Sequence, residues 1–391
     1  MRNMKLLMIF PWLSENLVMK DVVEIPLFFS KMGHHVEYIT YQSEGNRNLV
    51  EIDGIEIEKV RMPKVLKPLN RLSIANYFGM IPTILTKRRD YDCVLIYFML
   101  PDSLILCALL KLLRPKAICV IKMDTDRKIF SQGTSTVQRV KRYTIEAMYR
   151  YLSRYVGVFI VETPEAMSKI VMDIPWIKRK MLLLPNGIDT AKMAGYKNAI
   201  LARSAPKRTE SILYVGRVTR EKGLDLLIQA FSNLHKGNPT WKLEIVGDTS
   251  DGPYKSEVDE LLDSLDLRGS VDYLGPLYGQ ELAERYLKAG IFCLPSRHES
   301  FGIALIEAAF FGNAIVSADV GASRYVLDYG RAGLIFTPGN VKDLTEKLQS
   351  AISNENLRNE LGRVAKGRCS QLFDWGTLTD RLYLTIKALK R

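Results

Sequence analysis

The 391-residue sequence has little cysteine, no long apolar run and no CxxC pair. Its five cysteines (Cys93, Cys107, Cys119, Cys293, Cys369) sit mostly inside apolar segments, which fits reduced core residues and excludes both a disulfide framework and a zinc site. No stretch approaches the roughly 18 apolar residues of a membrane span; the best, Ser103–Leu113, is short and broken by Lys111. At the N-terminus, Arg2 and Lys5 flank the apolar run Leu6–Phe10, but Pro11, Trp12 and Glu15 follow with no small-residue cleavage site, so this run reads as a first buried strand. What is present is ordinary globular material, 47% hydrophobic and 25% charged, which excludes disordered, collagen-like and coiled-coil chains. The length suggests two domains. Net charge is +12 and unevenly placed. Residues 1–200 hold 30 basic and 19 acidic side chains, residues 201–391 hold 25 and 24, so any large anionic surface is met by the first half.

Short apolar runs alternate with stretches of helical period, the pattern of βα units around a parallel sheet. Expected strands are Lys5–Phe10, His35–Thr40, Asp92–Phe98, Ala117–Lys122, Val158–Val161 and Met181–Leu184. A second set follows: Ser211–Val215, Lys242–Val246, Val271–Leu274, Ile291–Leu294, Ala314–Ser317 and Gly333–Phe336. The basic, small-residue stretch Asn198–Lys207 reads as a linker. The expected fold is therefore α/β, with two Rossmann-like, doubly wound parallel-sheet domains facing a cleft. The first spans residues 1–195, with a helix at about 375–391 packing back on it, and the second spans residues 200–372.

Gly216-Arg217-Val218-Thr219-Arg220-Glu221-Lys222-Gly223 follows a strand and opens a helix whose apolar stripe is Leu224, Leu227, Ile228 and Phe231. A glycine-bounded turn at a helix start gathers backbone N–H groups and the positive end of a helix dipole, and Arg217 and Lys222 add two cations suited to a diphosphate. A second strand-to-helix passage, Pro295-Ser296-Arg297-His298-Glu299-Ser300-Phe301-Gly302-Ile303-Ala304-Leu305-Ile306-Glu307, carries two carboxylates on the order of 10 Å apart. That span suits one carboxylate at a sugar and the other at a ribose, with the diphosphate between them. It is too long for a shared proton or metal. Ser300 is the expected helix cap, and Glu307, set among Ile303, Leu305, Ile306 and Phe310, needs a buried partner.

These two elements, with Pro185-Asn186-Gly187-Ile188-Asp189, Val246-Gly247-Asp248 and Val161-Glu162-Thr163-Pro164, make the chain resemble the retaining glycosyltransferases of family 4 (glycosyl transferases group 1), which have the GT-B fold. The resemblance implies a nucleotide-diphosphate sugar of UDP or GDP type as donor, retained anomeric configuration, no metal and no cofactor. It assigns the diphosphate to Arg217 and Lys222, the ribose to Glu307 and the transferred sugar to Glu299. The backbone N–H groups around Phe301, Gly302 and Ile303, beside the Gly216 turn, would meet the phosphates. The sequence departs from the family where a histidine often follows the fifth strand: here Lys122-Met123-Asp124-Thr125-Asp126 stands. Asp124 is the candidate for that catalytic position, with capping of the next loop as its alternative. Asp124-Thr125-Asp126 also spells a metal-binding DxD of an unrelated fold, read as chance. Bulky Pro11–Asn16 replaces the usual glycines after strand one, so a standard acceptor is not implied.

From Lys59 to Arg89 there are eight basic residues and no acidic one, interleaved with apolar side chains; Arg127 to Ile145 adds five more. Such segments suit an anionic membrane surface, at roughly 1 kcal/mol per basic residue. No nucleic-acid-binding pattern accompanies them. The expectation is a cytoplasmic enzyme, peripheral on the cytoplasmic face of the membrane, with a glycan or lipid-linked acceptor. The alternatives are a catalytically impaired nucleotide-sugar-binding scaffold and a nucleotide-sugar epimerase on the same fold. A dehydrogenase is disfavoured because no G-x-G-x-x-G follows either first strand.

Overall fold

A computed structural model describes residues 3–11, 21–42, 52, 55–61, 77–86, 91–123, 136–204, 206–249 and 252–390. The chain divides into two units, residues 1–186 with 375–391, and residues 187–374.

In the first unit seven strands form one parallel sheet: β1 (Lys5–Ile9), β2 (His35–Tyr41), β3 (Glu56–Val60), β4 (Cys93–Tyr97), β5 (Ile118–Met123), β6 (Val158–Val161) and β7 (Met181–Leu183), in the order β3-β2-β1-β4-β5-β6-β7. Every residue of β4, β5 and β6 is buried, as the continuous apolar runs demand of strands covered on both faces. One face packs on Phe29 of the Asp21–Lys31 helix and on Trp375, Leu378, Leu382 and Ile386 of the C-terminal Trp375–Leu389 helix. Strand β3 had no sequence signal. Its residues alternate charged and apolar, are half-exposed except for the exposed Glu56, and pair only with β2 at the sheet edge.

The second unit has six parallel strands: β8 (Thr209–Val215), β9 (Lys242–Val246), β10 (Val271–Gly275), β11 (Ala289–Leu294), β12 (Ala314–Ala318) and β13 (Leu334–Phe336), in the order β10-β9-β8-β11-β12-β13. Connections run one way from β8 and the other way from β11, so the order reverses between these two strands. Loops leaving the carboxyl ends of such a pair form the usual ligand position of an open α/β sheet. The Leu224–His235 helix buries Leu224, Leu227, Ile228 and Phe231 on this sheet, as its period required.

The expected linker is a correction. Residues 198–203 are the last part of a helix, Thr190–Arg203, which starts at Asp189, whose carboxylate accepts the Lys192 N–H at 2.9 Å. Met193 and Ile200 are buried on it, so the division of the chain falls at Asn186/Gly187 instead of near residue 200. The five cysteines are free and buried. Among the described residues no helix is long and apolar enough to cross a membrane.

Candidate active site

The loop after β8 is fastened from inside: the buried Tyr214 hydroxyl donates to the Arg217 carbonyl at 2.7 Å. The chain then makes a 3-10 turn, Arg220–Lys222, and enters the Leu224–His235 helix through Gly223 at φ 68°. A Cβ on Gly223 would stand 2.2 Å from the Pro295 carbonyl oxygen, so glycine is what lets this loop touch the loop after β11.

Arg297 ties the two loops together. Its N–H donates to the Glu221 carbonyl at 2.7 Å, and its guanidinium forks onto both oxygens of Asp225 at 2.7 Å each. The Tyr254 hydroxyl donates to the same carboxylate at 2.6 Å. Burial opposes the ionisation of Asp225, but the Arg297 and Tyr254 hydrogen bonds outweigh it and hold the carboxyl below its ordinary value.

On this clamp Lys222 Nζ meets Glu299 Oε2 at 2.5 Å, both side chains mostly buried. Gly302, at φ 84°, then starts the Ile303–Phe311 helix. Ser300 is not its cap: Gly302 occupies that position and no side chain accepts the first N–H groups, because the left-handed turn at Gly302 carries the helix start past Ser300. Two turns in, Glu307 is 8% exposed and accepts the Tyr286 hydroxyl at 2.8 Å. Burial raises its carboxyl from 4.5 to about 7, and the Tyr286 hydrogen bond limits the rise. The hydroxyls of Thr219 and Ser296, buried on the same two loops, have no protein partner.

Gly216, Arg217, Lys222, Glu299, Phe301, Gly302, Ile303 and Glu307 thus lie on two adjoining loops and one helix at the carboxyl end of the second sheet. Arg217 is exposed. The Phe301 ring is buried against Phe373, with centroids 6.3 Å apart, which leaves its backbone as the group on offer. Asp124 and residues 12–16 lie outside the described residues, as do Lys64, Lys67, Arg71 and Lys87–Arg89. His34 is structural: it is buried, stacks on Tyr383 at 4.9 Å and accepts the Met4 N–H. Sequence reasoning missed Tyr286, Arg297 and Asp225. The available signals were the unmet need of Glu307 for a partner and an arginine two residues before Glu299.

At the carboxyl end of β5 in the first unit, Lys122 is fully buried between Asp21 and Glu162. His35, Glu37 and Glu56, at the start of β2 and β3, bring three potential metal-ligand atoms within 4.8 Å of one another; none of the site residues belongs to this group.

Residues 198–368 match the family described as glycosyl transferases group 1. The chain is similar to the sulfoquinovosyl transferase of Arabidopsis thaliana, at 23% identity over 68% of this chain and 52% of the relative. It is also similar to the mannosylfructose-phosphate synthase of Agrobacterium fabrum, at 26% identity over 60% of this chain and 53% of the relative. The matched regions span about half the length of these curated relatives. Among solved structures, Anabaena HepE in complex with UDP superposes with a TM-score of 0.74 at 17% identity, covering 98% of this chain and 100% of that one. The last likeness bears on fold, and agrees with two parallel α/β units of GT-B type. Through residues 198–368, the chain belongs to the glycosyl transferases group 1.

Proposed function

We propose that the protein is a retaining, metal-independent glycosyltransferase that moves a sugar from a nucleotide-diphosphate donor to a glycan or lipid-linked acceptor at a membrane surface. The observation that carries this reading is the Lys222–Glu299 pair, 2.5 Å apart beside the uncapped start of the Ile303–Phe311 helix. A phosphate-binding cation and a sugar-binding carboxylate at one point suit the junction between a diphosphate and its sugar. As the glycosidic bond breaks, charge grows on the leaving diphosphate. Lys222, Arg217 and the free N–H groups of the helix start stabilise that charge without having to reorganise. Glu307 receives the ribose hydroxyls, and binding energy from that remote part helps to orient the reacting centre. The Arg297–Asp225–Tyr254 clamp keeps the two loops in register. Asp124 is the proposed group facing the anomeric carbon or the acceptor hydroxyl. The reading calls for no cofactor besides the donor.

The membrane part rests on the first unit. Tyr143 and Tyr151 are 70% and 52% exposed, Arg154 stacks over Tyr151 at 3.8 Å and Arg150 over Trp176 at 5.8 Å, giving an exposed aromatic and cationic face suited to an anionic interface. Co-sedimentation tests it: anionic liposomes should retain the protein at low salt and neutral ones should not, and equal retention removes the membrane from the reading.

Activity is tested by nucleotide release from UDP- and GDP-sugars with and without glycan and lipid-linked acceptors. Acceptor-dependent release with an unchanged anomeric configuration is expected. Turnover without acceptor points to an epimerase, and donor binding with no release under any acceptor points to a scaffold.

A further inference from the structure

The end of the Thr190–Arg203 helix and the residues after it are basic, and they meet two other cations at a place far from the loops of the candidate site. Arg208 lies at the amino end of β8. Its Nη1 donates to the Tyr286 and Ala289 carbonyls at 3.2 and 2.5 Å, and its Nη2 to the Phe311 and Gly312 carbonyls at 2.7 and 2.8 Å. It thus takes up carbonyls left over at the carboxyl ends of the Gly279–Lys288 and Ile303–Phe311 helices. The Glu355–Leu372 helix crosses this point so closely that a Cβ on Gly362 would stand 2.2 Å from the Gly312 carbonyl oxygen. Lys366 on that helix is therefore held near Arg208: its Cδ and Arg208 Nη2 lie 3.9 and 3.7 Å from where a Cβ on Gly312 would be. From the third side Lys197 brings its ammonium to hydrogen-bonding range of Lys366.

Three cations from three segments converge here. Among the described residues, neither Lys197 nor Lys366 nor Arg208 has a carboxylate within ion-pair distance. Two ammonium groups end to end repel each other unless one loses its proton or an anion bridges them. Burial first, and then the charges of Lys366 and Arg208, hold the Lys197 ammonium below its ordinary pKa. The N–H donors of Arg208 are committed to carbonyls, so it supplies charge, while the two lysines supply free donors.

We propose that Lys197, Lys366 and Arg208 form a binding site for a phosphate-class oxyanion, separate from the donor site. A tetrahedral dianion has enough acceptors to engage both ammonium groups at once and enough charge to offset their repulsion. The ligand is either a soluble phosphate or phosphomonoester, or the phosphate of a lipid headgroup.

The test is equilibrium dialysis of the full chain against radiolabelled inorganic phosphate, with chloride holding ionic strength constant. The donor loops also attract phosphate, so Arg217→Ala/Lys222→Ala is run beside the wild type. The Arg217→Ala/Lys222→Ala variant should keep the site, Lys197→Ala/Lys366→Ala should weaken it at least tenfold, and Lys197→Arg/Lys366→Arg should restore it. Displacement of the bound phosphate by glycerol 3-phosphate identifies a soluble ligand, and displacement only by phosphatidic acid vesicles identifies a headgroup. A second readout needs no ligand: at low salt, Lys366→Ala should melt higher than wild type, because it removes half of a like-charged pair. The proposal is overturned if Lys197→Ala/Lys366→Ala binds phosphate as the wild type does, or if all binding disappears in Arg217→Ala/Lys222→Ala.

Discussion

Replacing Glu307 by glutamine separates the charge of this carboxylate from its shape. In the native protein burial lifts the carboxyl from 4.5 to about 7. Below pH 4.5 both folded and unfolded chains hold the proton. Between 4.5 and 7 the folded chain binds more proton than the unfolded one, so wild-type stability falls as pH rises, and above 7 it levels off. The full difference corresponds to about 3 kcal/mol. The substituted glutamine cannot ionise, fills nearly the same volume and accepts the Tyr286 hydrogen bond, at a pH-independent cost of about 1–3 kcal/mol if its amide N–H groups find no buried partner. Relative to wild type, Glu307→Gln should therefore gain about 3 kcal/mol between pH 5 and pH 8 in urea unfolding. The same titration governs the ligand. Ribose hydroxyls donate to the ionised form, so nucleotide affinity of the wild type should rise about tenfold from pH 6 to pH 8 while that of Glu307→Gln stays flat. Parallel stability curves for the two proteins across this range would refute the reasoning.

Arg297→Lys should cost about 1–2 kcal/mol, because an ammonium cannot replace the two-pronged contact with Asp225. The Asp225 carboxyl lies below its ordinary value, so its contribution is present above the ordinary carboxylate range and is lost as pH falls through the folded value; acid titration of stability should show a smaller loss in Arg297→Lys than in wild type. Gly223→Ala should destabilise the second unit by more than the roughly 1–2 kcal/mol of a left-handed backbone, since the added methyl meets the Pro295 carbonyl. Gly195→Ala, inside a helix with open space around it, should instead stabilise by roughly 0.5–1 kcal/mol, and thermal melts of the two variants should move in opposite directions.

Periodicity located the strands that are buried on both faces, because their apolar runs leave no other placement: β4, β5 and β11 are examples. It could not locate β3, whose half-exposed charged residues carry no burial signal, and it mistook the end of the Thr190–Arg203 helix for a linker because small and basic residues dominate there. The site residues were legible where a residue type has few other uses. Lys222 and Glu299 are charges placed at strand-to-helix turns, and Glu307 is an acid in an apolar helix. Their supports were not legible, since nothing local marks Tyr286 as the partner of Glu307 or Asp225 as the anchor of Arg297. Those pairings are tertiary, made by loops 72 and helices 21 residues apart.

The central claim, that the loops after β8 and β11 hold a nucleotide-diphosphate sugar, is tested most directly by a thermal-shift panel with UDP, GDP and their common sugar conjugates, on wild type, Arg217→Ala and Glu307→Ala. The account predicts that one base series raises the wild-type melting temperature, and that both variants lose most of that rise. No stabilisation of the wild type by any nucleotide, or equal stabilisation of all three proteins, would contradict it.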